Sequence, residues 1–244
     1  MTTHAVTTRE QWLTARAQLL TREKEHTRQA DELTRQRREL PWLPVEKAYR
    51  FDTEMGPKTL QELFHGRSQL VVYHFMFGPD YEAGCPVCSS IADSFDGVLA
   101  QLAARDVTMI CISRAPLEKL LAYRARMGWR FTWASSYASD FNYDFERSHS
   151  REEVNTWIDD APPIVSRFAS ECGTDPAGYM SEGPGLAVFA RADGNVFLTY
   201  STTARGLEPV MVYYGILDRV PRGRDEGDPA DPSWIRRHDE YDAA

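Results

Sequence analysis

Two continuous apolar segments constrain the fold of this 244-residue chain more than any other feature. "QLVVYHFMF" (69–77) and "DVTMICIS" (106–113) lack polar alternation, which is typical of strands buried on both faces. A helical pattern, 89–105, separates them, and a second, 116–128, follows. Buried strands that alternate with helices predict a parallel sheet built by right-handed crossovers.

The segments around this core complete an α/β domain. "LAVFA" and "VFLTYST" are separated by an Asp193-Gly194 turn signal, and so they predict an antiparallel hairpin. We therefore expect a central mixed sheet flanked by helices. Four further elements are predicted: a strand over 47–53, a helical turn over 59–66, a short strand over 129–136 and a helix over 207–220.

The N-terminal segment predicts a long helix, since residues 9–40 contain neither Gly nor Pro. Large, mostly apolar residues recur at every seventh position along this segment and form a narrow stripe on the helix. Such a stripe favours packing on the domain or a homodimer through this helix. The stripe contains Trp12, Leu19, His26, Leu33 and Leu40, with His26 interpreted as a packing residue.

Three regions follow from this pattern. Residues 1–44 are expected to be a helical extension, and 45–220 the α/β domain with an insertion at about 129–185. Residues 221–244 form a charged, proline-rich tail, which we expect to run over the surface or to be disordered.

Composition excludes several classes of function. Because 28 Lys and Arg stand against 36 Asp and Glu, a nucleic-acid partner is not expected. No apolar run approaches the roughly 18 residues of a membrane span, and "MTTHAVTTREQW" lacks the pattern of a secretory signal. We expect a cytoplasmic protein, and in a reducing compartment a close cysteine pair is more often catalytic or metal-binding than structural.

Cys85 and Cys88 are such a pair, with Pro86 and Val87 between them. If Cys85 caps a helix whose first residue is Pro86, backbone N–H groups and the helix dipole favour its thiolate. Cys88, one turn further in, keeps the higher pKa and resolves the mixed disulfide formed at Cys85. This reaction needs no cofactor.

A zinc site is the main alternative for "CPVC", but zinc needs two more soft ligands. Cys111 lies in an apolar strand and is interpreted as a buried small residue, whereas Cys172 is an ordinary free cysteine or a third redox thiol. His65, His74 and His149 form no ligand pattern, and His74 is interpreted as a core residue. No metal is therefore predicted.

Long stretches of the chain resemble an uncharacterised bacterial thioredoxin-like family, described as predicted dithiol–disulfide oxidoreductases. These stretches, spread over residues 9–226, are "EQWLTARAQLLTREKEHTRQADELTRQRRELPW", "TLQELFHGRSQLVVYHFMFGPDYEAGCPVCSS", "WRFTWASSYASDFNYDF" and "GLAVFARADGNVFLTYSTTARGL". The resemblance implies a thioredoxin-like fold. It also implies that Pro184, just ahead of the hairpin, is a cis-proline that faces the cysteine pair and binds substrate.

"YRFDTEMGPKTLQELFHGRSQLVVYHF" is also similar, more distantly, to the opening of peroxiredoxins and thiol peroxidases. Those enzymes place the attacking cysteine in a Pro-x-x-x-Thr/Ser-x-x-Cys pattern, which the segment between Pro79 and Cys85 does not reproduce. We therefore predict a thiol–disulfide oxidoreductase that takes a protein or small-molecule disulfide and a thiol electron donor. A peroxiredoxin-like thiol peroxidase and a non-catalytic binding module are the alternatives.

Overall fold

The computed structural model of the protein describes residues 4–227 and 231–242. The chain divides between Pro41 and Trp42 into two compact units. The first contains the predicted long helix, α1 (Arg9–Arg38), whose N-terminus is closed by a capping box between Thr8 and Gln11. None of the residues in α1 is buried, and the homodimer through this helix stays a prediction.

The second unit contains the strands. They are β1 (Leu43–Pro44), β2 (Arg50–Phe51), β3 (Lys58–Thr59), β4 (Gln69–His74), β5 (Val107–Ser113), β6 (Thr132–Ser135), β7 (Gly185–Ala192) and β8 (Asn195–Thr203). Within the described residues six of them form one sheet in the order β1-β8-β7-β4-β5-β6. Strands β4, β5 and β6 are parallel, whereas β7 runs antiparallel to both β4 and β8. The predicted mixed sheet, with its buried parallel pair and its hairpin, is confirmed.

Helices connect and flank these strands. The α-helices are α2 (Pro86–Ala92), α3 (Leu99–Ala104), α4 (Leu117–Arg126), α5 (Phe141–Asp144), α6 (Arg151–Asn155), α7 (Ile164–Glu171), α8 (Pro176–Met180) and α9 (Val212–Leu217). Short 3-10 helices span Glu62–Phe64, Ile158–Asp160, Ala204–Val210, Pro232–Trp234 and His238–Glu240. The central mixed sheet with helices around it is a thioredoxin-like fold, as predicted.

Two helix predictions were wrong in extent. The single helix expected over 89–105 is broken between α2 and α3, where Asp93 accepts a hydrogen bond from the Trp129 indole and Asp96 accepts one from the Arg130 backbone. These tertiary hydrogen bonds stabilise turns between α2 and α3, so the helix is not continuous. The helix expected over 207–220 is a 3-10 helix up to Val210, which accommodates Pro209, and only then α9.

The sheet separates two apolar clusters. Tyr73, Phe75 and Trp133 belong to the larger one, which also contains both cysteines of the pair. Leu70 and Val72 belong to the smaller one on the opposite face, as the alternation of side chains along β4 requires. The residues that follow β4 therefore enter the larger, aromatic-rich side of the sheet.

Candidate functional site

Cys85 is the N-cap of α2, and Pro86 is the first helical residue, as the sequence predicted. The Cys85 backbone N–H donates to the Met76 carbonyl at 3.1 Å, which fixes the helix start against the end of β4. Cys85 and Cys88 are both free thiols, and each is only 1% exposed. Reactivity at this site is therefore decided by the groups packed around the two sulfurs.

Those groups give the two thiols opposite acidities. Burial alone raises the pKa of Cys85, but hydrogen bonds from the Cys88 thiol, the Tyr179 hydroxyl and the N–H groups of Cys88 and Val87 lower that pKa to about 7. Burial raises the pKa of Cys88 well above its ordinary value, and the adjacent Cys85 sulfur raises it further. Cys85 is thus the thiol that ionises first.

Tyr179 is the donor that the sequence did not reveal. It lies on α8 in the insertion, and its hydroxyl is 3.3 Å from the Cys85 sulfur. Its ring stacks on Tyr81, whose hydroxyl donates to the Tyr179 carbonyl at 2.6 Å. Because burial, and then the nearby Cys85 charge, raise the pKa of Tyr179 well above its ordinary value, its hydroxyl keeps its proton and can donate.

Arg237 was also missed. Although the tail was expected to run over the surface or to be disordered, Arg237 is only 3% exposed and donates two hydrogen bonds to the Gly84 carbonyl, at 2.7 and 3.0 Å. A third bond reaches the Glu171 carbonyl, and Glu240 pairs with the guanidinium. The prediction that the tail runs over the surface or is disordered was therefore wrong at Arg237. Residues 228–230 and 243–244 of the tail lie outside the described residues.

The position before Cys85 has no room for a side chain, and it is occupied by Gly84. A Cβ atom at Gly84 would lie 2.6 Å from the Phe75 ring and 2.9 Å from the Tyr123 ring. Both rings belong to the larger apolar cluster, so the backbone passes between them. The loop before Cys85 is therefore fixed by packing on one side and by Arg237 on the other.

A cavity of about 450 Å³ opens beside the pair, and we call it the cysteine cavity. Cys85, Cys88 and Pro184 all line it, so the structure brings the three residues predicted for the site to one place. Its other walls come from Met76, from α2, from the insertion, from the segment after β8 and from Pro232 of the tail. The residues of the insertion that line it include His149, Trp157, Tyr179 and Met180.

Cys172 and Cys111 are free and buried as well. Burial raises the pKa of both thiols, which leaves them protonated near neutral pH. The Cys172 carbonyl accepts hydrogen bonds from the N–H groups of Glu82 and Ala83, so its backbone anchors the loop that precedes Cys85.

His74 lies on the opposite face of the sheet from Tyr73, where its ring stacks on Phe141. Neither ring nitrogen has a well-formed hydrogen bond to a described residue. Burial lowers the pKa of His74 to about 3, so the ring is neutral. The interpretation of His74 as a core residue is confirmed, and it is not among the residues that line the cysteine cavity.

Within 4–227 and 231–242, no group of three or more His, Cys, Asp or Glu side chains is arranged to hold a metal ion. In the same ranges, no helix combines the length and the apolar character needed to cross a membrane.

The sequence pattern of one protein family, described as "Bacterial protein of unknown function (DUF899)", matches residues 1–241. The chain belongs to this family. None of the curated proteins with which it was compared matches it.

Solved structures similar to this DUF899 protein include three peroxiredoxin-type proteins. Peroxidoxin BcpB from Mycobacterium tuberculosis is 12% identical with a TM-score of 0.48, covering 71% of this chain and 94% of that one. A PrxQ mutant from Xylella fastidiosa is 12% identical with a TM-score of 0.43, covering 69% and 88%. The 2-Cys peroxiredoxin of Plasmodium vivax is 11% identical with a TM-score of 0.41, covering 72% and 94%.

Replacing Arg237 by Gln should destabilise the DUF899 protein by about 2 kcal/mol, because buried carbonyls of Gly84 and Glu171 lose charged donors. Urea unfolding followed by circular dichroism measures the change. Arg236→Gln is the matched control, since Arg236 is the exposed neighbour. Equal stability of the two variants would contradict a buried anchoring role for Arg237.

Replacing Tyr179 by Phe should raise the pKa of Cys85 by about one unit, since a hydrogen bond to a charged group contributes roughly 1.5–3 kcal/mol. Thiolate absorbance near 240 nm, followed against pH, gives the midpoint. The control is Tyr213→Phe, which removes a hydroxyl bonded to Ser90 of α2 but not to a cysteine. A midpoint that does not move in Tyr179→Phe would show that this hydroxyl does not stabilise the thiolate.

Proposed function

We propose that this protein is a thiol–disulfide oxidoreductase in which Cys85 attacks and Cys88 resolves. The observation that carries the proposal is the placement of two free thiols at the start of α2 on one cavity wall, with the Tyr179 hydroxyl 3.3 Å from the Cys85 sulfur. In keeping with this geometry, the pKa of Cys85 is lowered to about 7 and that of Cys88 is raised. A thiolate is the nucleophile in disulfide exchange, and an attacking thiol reacts best when its pKa lies near the ambient pH. Cys85 meets both conditions.

The reaction balances without a metal or an organic cofactor. The Cys85 thiolate attacks one sulfur of the substrate disulfide, which breaks that bond and releases the other sulfur as a thiol after it takes a proton. Cys88 then loses its proton and attacks the Cys85 sulfur, releasing the second product thiol. The substrate gains two electrons, the pair becomes a Cys85–Cys88 disulfide, and a thiol electron donor returns it to the dithiol.

Tyr179 supports the first step. Its hydroxyl donates to the Cys85 sulfur, and the high pKa of Tyr179 keeps that hydroxyl protonated while Cys85 ionises. Tyr179 therefore stabilises the Cys85 thiolate and does not itself become a nucleophile. Pro184 lines the same cavity and is proposed to contact the substrate beside the sulfurs.

Replacing Cys85 by Ser should abolish disulfide reduction, whereas Cys88→Ser should stop the reaction at a mixed disulfide on Cys85. Mass spectrometry of pre-reduced protein after a single turnover distinguishes the two states. Cys111→Ala is the control, because Cys111 lies within β5. Disulfide reduction at an unchanged rate in Cys85→Ser refutes the mechanism, and reaction with hydroperoxides alone supports the thiol peroxidase alternative.

The rate of attack by Cys85 should rise with pH around a midpoint of about 7, because only the thiolate reacts and the pKa of Cys85 is lowered to that value. Stopped-flow measurement of the first turnover between pH 5 and pH 9 gives the profile. Since the Cys85 pKa is depressed, reactivity is present above the midpoint and is lost as the pH falls through it. A midpoint near 9 would instead indicate an ordinary thiol.

A further inference from the structure

We propose that the substrate is a small, uncharged, apolar disulfide that enters the cysteine cavity, and that disulfides of folded proteins are excluded. This inference rests on the proposed function and adds the substrate class. Three features of the cavity carry it: the burial of both sulfurs, the chemistry of the walls and the pairing of the charges around them.

Burial limits what can reach the sulfurs. Cys85 and Cys88 are each 1% exposed, and residues of the insertion and of the segment after β8 line the cavity beside them. Disulfide exchange requires the attacking sulfur to approach in line with the bond that breaks, so the leaving thiol must also fit inside. Both halves of a small disulfide fit in a space of about 450 Å³, whereas a folded protein would have to bring two half-cystines held in its backbone to sulfurs that are 1% exposed. That volume lies within the roughly 300–1,000 Å³ range of small-molecule sites.

The lining of the cavity is mostly apolar. The side chains that give the cavity this character are Met76, Val87, Ile91, Met180, Leu207 and Met211. Several are methionines, whose unbranched side chains adapt to ligands of different shape. An alkyl group on the substrate would bury against them and gain about 0.8 kcal/mol for each methylene removed from water.

The carboxylates that line the cavity already have partners. Glu182 pairs with Arg114 at 2.9 Å and accepts a hydrogen bond from Ser148 at 2.7 Å. Glu208 pairs with Arg205 at 2.7 Å and with Arg224 at 3.0 Å. Glutathione disulfide has a net negative charge, and Arg205, the cationic side chain that lines the cavity, is already paired with Glu208. Such a substrate would have to lose its hydration and compete with Glu208 for this guanidinium, which is costly.

The same access limit applies to the return half of the cycle. The Cys85–Cys88 disulfide formed by the substrate lies in the same cavity, so its reductant must also enter it. Two molecules of a small thiol, or one small dithiol, would supply two electrons and leave as a disulfide. The donor is therefore a low-molecular-weight thiol of the kind represented by dithiothreitol.

Single-turnover kinetics with pre-reduced protein tests this proposal. We expect the second-order rate constant to increase about threefold to fourfold for each buried methylene along the series from diethyl to dibutyl disulfide, as 0.8 kcal/mol per methylene implies. Glutathione disulfide and insulin should react at least 100-fold more slowly than dipropyl disulfide. Loss of the two thiols is followed by mass-tagged alkylation.

A narrowed cavity provides the matched variant. Met180→Trp should slow the reaction with dibutyl disulfide at least tenfold. The equilibrium potential of the Cys85–Cys88 couple, measured in a dithiothreitol redox buffer, should stay as in the wild type, which would show that the site is intact. Met55→Trp is the control, because Met55 is 83% exposed and does not line the cavity.

The outcomes separate the two proposals. If no disulfide oxidises the pair and no two-electron couple is found, the proposed function itself is refuted. If glutathione disulfide or insulin oxidises the pair as fast as the dialkyl series, and Met180→Trp has no effect, the oxidoreductase stands and the small apolar substrate is overturned. The chain-length dependence together with its loss in Met180→Trp supports the proposal.

Discussion

The end of β4 is the constraint on which the rest of the site depends. β4 is paired with β5 on one side and with β7 on the other, so its position leaves little freedom to the residues that follow. Beyond the strand, the Phe77 carbonyl accepts from the Ala115 N–H and the Met76 carbonyl accepts from the Cys85 N–H. The first residue of the cysteine pair is therefore attached to the centre of the sheet, although it lies in a loop and a helix cap. Such a support limits the movement of a reactive sulfur.

The segment "GPDYEAG" before Cys85 does not reproduce the cysteine pattern of peroxiredoxins, and its contacts link it to three distant parts of the chain. Lys119 of α4 donates to the carbonyls of Pro79 and Tyr81, and the Cys172 carbonyl accepts from the backbone of 82–83. Arg237 then holds Gly84 from the tail. Three parts of the chain that are distant in sequence thus fix one loop, and one of them, the insertion, also supplies Tyr179. The loop before Cys85 therefore provides the backbone groups to which the insertion and the tail bind.

Local patterns were sufficient for strands β4 to β8 of the sheet and for the start of α2, whereas β1 was not predicted and the strand expected over 47–53 is the short β2, outside this sheet. Apolar runs identify β4 and β5, and a proline between two cysteines identifies a helix start, because these signals depend on neighbours in the chain. Tyr179 and Arg237 could not be found in this way. Tyr179 lies 94 positions from Cys85, and Arg237 lies 153 positions from Gly84, so only tertiary packing brings them together. The break between α2 and α3 has the same origin, since Asp93 and Asp96 bind residues beyond β5.

The coupling between the two sulfurs also orders the steps of the proposed reaction. Burial is the first cause of the high pKa of Cys88, and the hydrogen bond to Cys85 and the charge on Cys85 add to it. Once Cys85 forms a mixed disulfide its sulfur carries no charge, so the repulsion that disfavours the Cys88 thiolate is removed. We infer that Cys88 becomes easier to ionise only after Cys85 has reacted. In the proposed reaction, the environment that lowers the pKa of Cys85 therefore also keeps Cys88 protonated until the mixed disulfide has formed.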